Sequence, residues 1–189
     1  MNTILLPDLA PFIQELKALK VDEHDEAYNR QSVSLLVKTW VKEPTWLSEQ
    51  FKQVNNLSGF SSWLIHEEPN HSLAVNLVAW EPGREITPHD HNTWAVVGCV
   101  CGIEENYFWT RLDDGLIPDY AELKREEPAI VCHPGEVISI AANQIHSVIN
   151  KTNDIAVSLH VYGMNLNFTN RLQYDPLNKR AKPFFISYS

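Results

Sequence analysis

The 189 residues suffice for one domain with a real hydrophobic core, and the 44% hydrophobic and 21% charged fractions are those of an ordinary globular protein. A formal net charge of −9 argues against a nucleic-acid partner, which wants a basic face, and no apolar run is long enough for a membrane span. The opening MNTILLPDLAPF lacks a basic segment and a cleavage site, and Cys99, Cys101 and Cys132 are too few for a disulfide framework, so a cytoplasmic protein is expected, and the acidic surface is compatible with a monomer.

The first third reads as helical. Leu9 to Leu19 carries apolar residues at helical spacing, with Pro11 early, where proline is tolerated. A second helix is expected over Ser32 to Val41, and a third from about Thr45, carrying Trp46, Leu47 and Phe51. From about Phe60 the texture changes to short β-branched and aromatic runs. Turn signals separate them: HEEPN at 66–70, EPG at 81–83, LDDG at 112–115, HPGE at 133–136 and NKTND at 150–154. Such spacing predicts an all-β sandwich or barrel over about 60–175, with the helical segment of about 1–55 packed on it, in a single domain spanning 1–189. The acidic stretch at 122–127 is expected at a strand edge or in a loop.

Two segments carry metal chemistry. In Gly83–Arg–Glu–Ile–Thr–Pro–His89–Asp–His91, the histidines stand two apart, and residues so spaced on a strand share a face. Alone, such a pair is weak. The second segment runs from Gly135 through a strand and a turn to His146 and Asn150. Together they fit the paired signatures of the cupins, which are jelly-roll-like antiparallel barrels. The first cupin motif is matched by Gly83, His89, His91 and Gly98. In the second, Ala141 and Asn143 stand where a proline and a glycine are usual, asparagine being tolerant of positive φ. The glutamate that usually follows the histidine pair is absent, since Trp94, Ala95 and Val96 occupy that stretch. A neutral set of three histidines remains: His89, His91 and His146. Iron with open coordination positions suits it; zinc also accepts three histidines.

Pro88–His–Asp–His–Asn–Thr–Trp–Ala–Val–Val–Gly98 resembles a narrower group, the bacterial cysteine dioxygenase and 3-mercaptopropionate dioxygenase family of thiol dioxygenases. Trp80–Glu–Pro–Gly83 resembles the stretch that leads into that block, and the likeness extends from about Trp63 to Arg171. It implies an Fe(2+) enzyme that uses O2 to oxidise a small thiol to its sulfinic acid. A non-catalytic, metal- or ligand-binding cupin acting as sensor or store is the alternative. In Ile155–Tyr162 the alternation puts Ser158, His160 and Tyr162 on one face. The family carries a Ser–His–Tyr relay here, which implies that Tyr162 contacts the substrate, positioned by His160 and then Ser158. By the same resemblance Arg171 anchors a substrate carboxylate through its forked guanidinium.

Two departures are informative. Positions 92–98 contain no cysteine, so no thioether to Tyr162 is expected, and Cys99 and Cys101 read as small apolar barrel residues. The family's early-strand arginine (cysteine branch) or glutamine (mercaptopropionate branch) falls at Ser62, so neither specificity residue is present. Arg171 leans the substrate towards 3-mercaptopropionate, with cysteine second. His24, His66, His71 and His133 are expected to be solvated, and Trp94 to wall the pocket.

Overall fold

The structure, a computed structural model, describes residues 4, 6–54 and 57–189. A short 3-10 turn, Pro7–Leu9, leads into helix α1, Ala10–Ala18. Helix α2 runs Glu26–Val41 and so begins six residues before the expected Ser32. Its start is set by Asp25, whose carboxylate accepts from the Tyr28 amide at 2.9 Å, satisfying a donor that the first helical turn leaves open. The expected third helix is a single 3-10 turn, Glu49–Lys52. Pro44 cannot continue a helix, and the chain spends 43–47 on turns closed by Thr45 N to Glu43 O and Leu47 N to Pro44 O.

The strands are β1 (Phe60–Glu67), β2 (Ser72–Trp80), β3 (Glu85–His89), β4 (Ala95–Cys101), β5 (Glu104–Arg111), β6 (Leu123–Arg125), β7 (Ile130–Cys132), β8 (Val137–Ile140), β9 (Ile145–Ile149), β10 (Ala156–Met164), β11 (Leu172–Asp175) and β12 (Arg180–Pro183). They form two antiparallel sheets. One has the order β1-β2-β10-β4-β8; the other has β12-β11-β3-β9-β5-β6, with β7 also on β5. From β2 to β5, and again from β8 to β11, successive strands alternate between the sheets, as in a jelly roll. The sheets curl into a barrel: Val78, Trp80 and Ala156 of the first pack with Ile86 and Val148 of the second. The cupin-type barrel with an N-terminal helical segment is therefore the fold. The acidic stretch at 122–127 includes the edge strand β6, as expected.

The two faces of the first sheet have different work. On the outer face Val75, Leu77, Val96, Val157, Leu159 and Val161 join Phe12, Leu16, Val33, Val37 and Val41 of the helices in one core. Val33, Val37 and Val41 recur every four residues, so one stripe of α2 meets the sheet. Each such side chain is worth about 1.5–3 kcal/mol when fully buried. Gly98 makes the contact close, since a Cβ there would stand 2.5 Å from Val37 Cγ1. The helices thus cover the apolar face, and the polar face is turned into the barrel.

Candidate metal centre and active site

His89 is the last residue of β3 and His91 lies just beyond it. Between them Asp90 is tied the other way. Its carboxylate accepts from Leu172 N at 3.0 Å and from the Tyr174 hydroxyl, so the flanking histidines are held on the inner side. Asn92 then takes the left-handed conformation (φ 51°) and turns the chain into β4. His146 enters from β9, directly opposite His89 in the register of the pair. All three imidazoles are buried, with ligating nitrogens within 4.8 Å of one another.

Hydrogen bonds fix which nitrogens point inward. His89 Nδ1 donates to the Thr87 carbonyl at 3.0 Å, and His146 Nδ1 donates to Asn106 Oδ1 at 3.0 Å. Each leaves Nε2 for an ion, the arrangement by which outer partners orient ligating histidines. The Nε2 atoms of His146 and His91 face one another at 3.3 Å. Burial, with the charge of Arg171 and, for His89 and His91, the neighbouring imidazoles, pushes all three pKa values down, to about 3 for His146. They are therefore neutral near pH 7, the form that binds metal. Three converging neutral imidazoles are a donor set that fits a divalent transition metal and leaves positions open.

The polar face of β10 supplies the next layer. Ser158, His160 and Tyr162 are all buried. Ser158 Oγ lies 2.7 Å from His160 Nε2, and His160 Nδ1 lies 2.8 Å from the Tyr162 hydroxyl. A half-buried strand would have shown this face to water; instead it forms a closed line of hydrogen bonds inside the barrel. Tyr162 ends that line edge-to-face on His91, with ring centroids 5.2 Å apart. Burial holds the Tyr162 hydroxyl protonated and pushes His160 down to about 3, so both are neutral.

Arg171 follows in the loop before β11 and is 3% exposed. Its Nε donates to the Phe184 carbonyl at 3.0 Å, and the Phe184 ring lies 4.0 Å from its Cζ. Burial lowers its pKa to about 10, so it remains a cation. Among the described residues no carboxylate forms an ion pair with it. Arg171, Tyr162 and His89 line one small cavity of about 20 Å3, walled by Phe60, Ile86 and Phe184. The structure thus joins His89, His91, His146, Ser158, His160, Tyr162 and Arg171 in one buried constellation inside the barrel.

Several expectations are refined. Trp94 does not wall the cavity: it belongs to the core beneath the helices, packed so closely on Gly163 that a Cβ there would stand 2.4 Å from its Nε1. Asn143 does not use the left-handed region; the turn is closed by Gln144 N to Ala141 O at 3.0 Å. Ser62 does line the cavity, and its hydroxyl accepts from Asn76 Nδ2 at 3.2 Å. His66 and His71 are hydrogen-bonded to Glu68 and Glu67, at 2.8 and 2.6 Å. Sequence reading missed Asn106, Glu104 and Phe184. The first two lie on a strand where their alternation looked ordinary, and Phe184 lies beyond the motifs.

No family model matches the chain. Solved structures resemble it at the level of fold. An oxalate oxidase in complex with the substrate analogue glycolate is 19% identical, with a TM-score of 0.45, over 62% of this chain and 59% of that one. A DMSP lyase from Ruegeria pomeroyi is 16% identical with a TM-score of 0.47, over 69% and 60% of the two chains. A cupin superfamily protein from Desulfitobacterium hafniense is 11% identical with a TM-score of 0.45, over 66% and 89%. The chain spans about three-fifths of the length of the oxalate oxidase it matches. Among the described residues no helix is long and apolar enough to cross a membrane.

Proposed function

We propose that this protein is a thiol dioxygenase that holds Fe(2+) on His89, His91 and His146 and converts a small carboxylated thiol and O2 to the sulfinic acid. The observation that carries the reading is the buried Ser158–His160–Tyr162 line ending against His91, with the Arg171 cation lining the same cavity. A three-histidine set adds no negative charge, so a bound Fe(2+) would keep its double charge, favour a thiolate ligand and supply the oxygen chemistry.

The chain's own residues account for the rest. Among the described residues Arg171 is a buried cation without a carboxylate partner, and burying a charge unpaired is costly. A substrate carboxylate would meet that cost and be oriented by two parallel hydrogen bonds. Tyr162 presents a neutral hydroxyl to the same space. Phe60, Ile86 and Phe184 give that space an apolar wall. Among the described residues no acidic side chain lines the cavity to receive a substrate ammonium, which favours 3-mercaptopropionate over cysteine.

The test is O2 uptake by iron-loaded protein with 3-mercaptopropionate, cysteine and cysteamine in parallel, with the sulfinate assayed. Uptake matched by sulfinate, greatest with 3-mercaptopropionate, is the expected outcome. Stoichiometric iron without uptake on any thiol would favour a non-catalytic, ligand-binding cupin.

A further inference from the structure

We propose that Glu104, a buried carboxyl outside the cavity, sets the direction in which the Ser158–His160–Tyr162 hydrogen-bond line runs, and so whether the Tyr162 proton is offered to the substrate. Glu104 opens β5 and is 1% exposed. The Trp80 indole Nε1 donates both to Glu104 Oε1, at 2.8 Å, and to Ser158 Oγ, at 2.9 Å. One donor therefore clasps the carboxyl and the serine side by side. Among the described residues no hydrogen bond joins Glu104 to a metal ligand. The titratable groups that feel its charge are the thiols of Cys99 and Cys101 from β4 and of Cys132 from β7, which pairs with it in register, and the Tyr162 hydroxyl. Burial keeps the three thiols and the phenol protonated, Cys132 being pushed up to about 12. Among the described residues no lysine or arginine acts on Glu104, whose own pKa is raised by burial to about 7, with Ser158 and Trp80 pulling the other way.

A hydroxyl has one proton to give, and a neutral imidazole carries one N–H. These rules leave two states for the line. With Glu104 as the neutral acid, its O–H donates to Ser158, Ser158 donates to His160 Nε2, and His160 Nδ1–H donates to Tyr162. The Tyr162 proton is then free to point into the cavity. With Glu104 as the carboxylate, one proton has left the line for solvent. Ser158 now donates to Glu104, His160 carries its proton on Nε2 and donates to Ser158, and Tyr162 spends its proton on His160 Nδ1. His160 stays neutral in both states because burial holds its pKa near 3, so its tautomer reports the direction. A glutamate kept only to accept from Trp80 would not couple to His160. The consequence for turnover rests on the thiol-dioxygenase reading; the direction of the line does not.

The test is a pH titration of full-length, zinc-loaded protein carrying 15N-labelled imidazoles, since ring-nitrogen shifts separate N–H from bare nitrogen. His160 is expected to move from Nδ1–H to Nε2–H as pH rises through the neutral range. Glu104→Gln, whose amide donates to Ser158 at every pH, is expected to hold Nδ1–H throughout. A single His160 tautomer across the range in the wild type, which needs no variant, would overturn the proposal; so would a switch that persists in Glu104→Gln. In iron-loaded protein, kcat/KM for 3-mercaptopropionate should fall with that ionisation, and E104Q should lose the fall. A tautomer switch in protein that turns over no thiol would sink the dioxygenase reading and leave the role of Glu104 standing.

Discussion

The Nε2 atoms of His91 and His146 stand 3.3 Å apart, although the residues are 55 positions apart in the chain. Two nitrogens each about 2.1 Å from one ion, and at a right angle about it, are about 3 Å apart. The chain has therefore brought its donors to ligating distance by its own packing. Asp90, pinned to β11, and Asn106, pinned to His146, are the residues that hold them there.

Metal binding should follow from that pair. His146→Ala removes one of three donors, and stoichiometric metal retention should fall from one ion per chain to well below it. The variant should still fold, because deletion leaves the Asn106 amide to rearrange within the barrel. Elemental analysis after dialysis checks the first expectation and far-ultraviolet circular dichroism the second. Undiminished metal in His146→Ala would place the ion elsewhere.

Arg171→Lys tests the carboxylate anchor. Lysine keeps the charge and loses the fork, so one of two charge-assisted bonds goes, a cost of about 1.5–3 kcal/mol. KM for 3-mercaptopropionate should rise about 10- to 100-fold. Cysteamine, which has no carboxylate, should show no parallel loss. Equal effects on both thiols would reduce Arg171 to a packing residue of the Phe184 contact.

How much of this was legible in the sequence differs from residue to residue. The period-two alternation of Ile155–Tyr162 was readable, and β10 keeps it. What the sequence could not say is that α1 and α2 would cover the Val157–Leu159–Val161 face, which sends Ser158, His160 and Tyr162 into the barrel. The histidine motifs were legible because a shared ion imposes local spacing on His89 and His91. Glu104 and Trp80 meet only through the approach of two sheets, 24 residues apart, and no local pattern marks such a pair. Trp94 misled because nearness in sequence to His91 was taken for nearness in space. On a strand, adjacent residues face opposite ways, and the turn at Asn92 leaves Trp94 outside.

Acid should unfold the metal-free chain early. The buried histidines, His89, His91, His146 and His160, all have pKa values lowered by folding, so the unfolded chain takes up their protons first as pH falls below 6.5. Stability is thus fully present above the unfolded value and lost as pH drops towards about 3. Each such group tilts stability by about 1.4 kcal/mol per pH unit. Glu104, raised from 4.5 to about 7, acts the other way between those values, one group against four. The urea midpoint should therefore be clearly lower at acidic than at neutral pH, and bound metal should reduce the difference. A flat profile would mean that the imidazoles are solvated in the metal-free chain.

Gly98→Ala probes the coupling between helix and barrel. The new methyl would stand 2.5 Å from Val37 Cγ1 and 2.8 Å from Val41 Cγ1, closer than packed atoms tolerate, so α2 must move off β4. Overpacking of this kind costs about 1–3 kcal/mol, readable as a lower urea midpoint with unchanged slope. Val37→Ala alone leaves a cavity and should also destabilise. Combined with Gly98→Ala it vacates part of the space that the methyl needs, so the double variant should lose less than the sum of the two. Strict additivity would mean that the helix had shifted as a body, rather than that Val37 alone met the methyl. Because β4 also pairs with β10 through Gly98 and Leu159, such a shift should reach the Tyr162 hydroxyl and lower kcat before it lowers metal content.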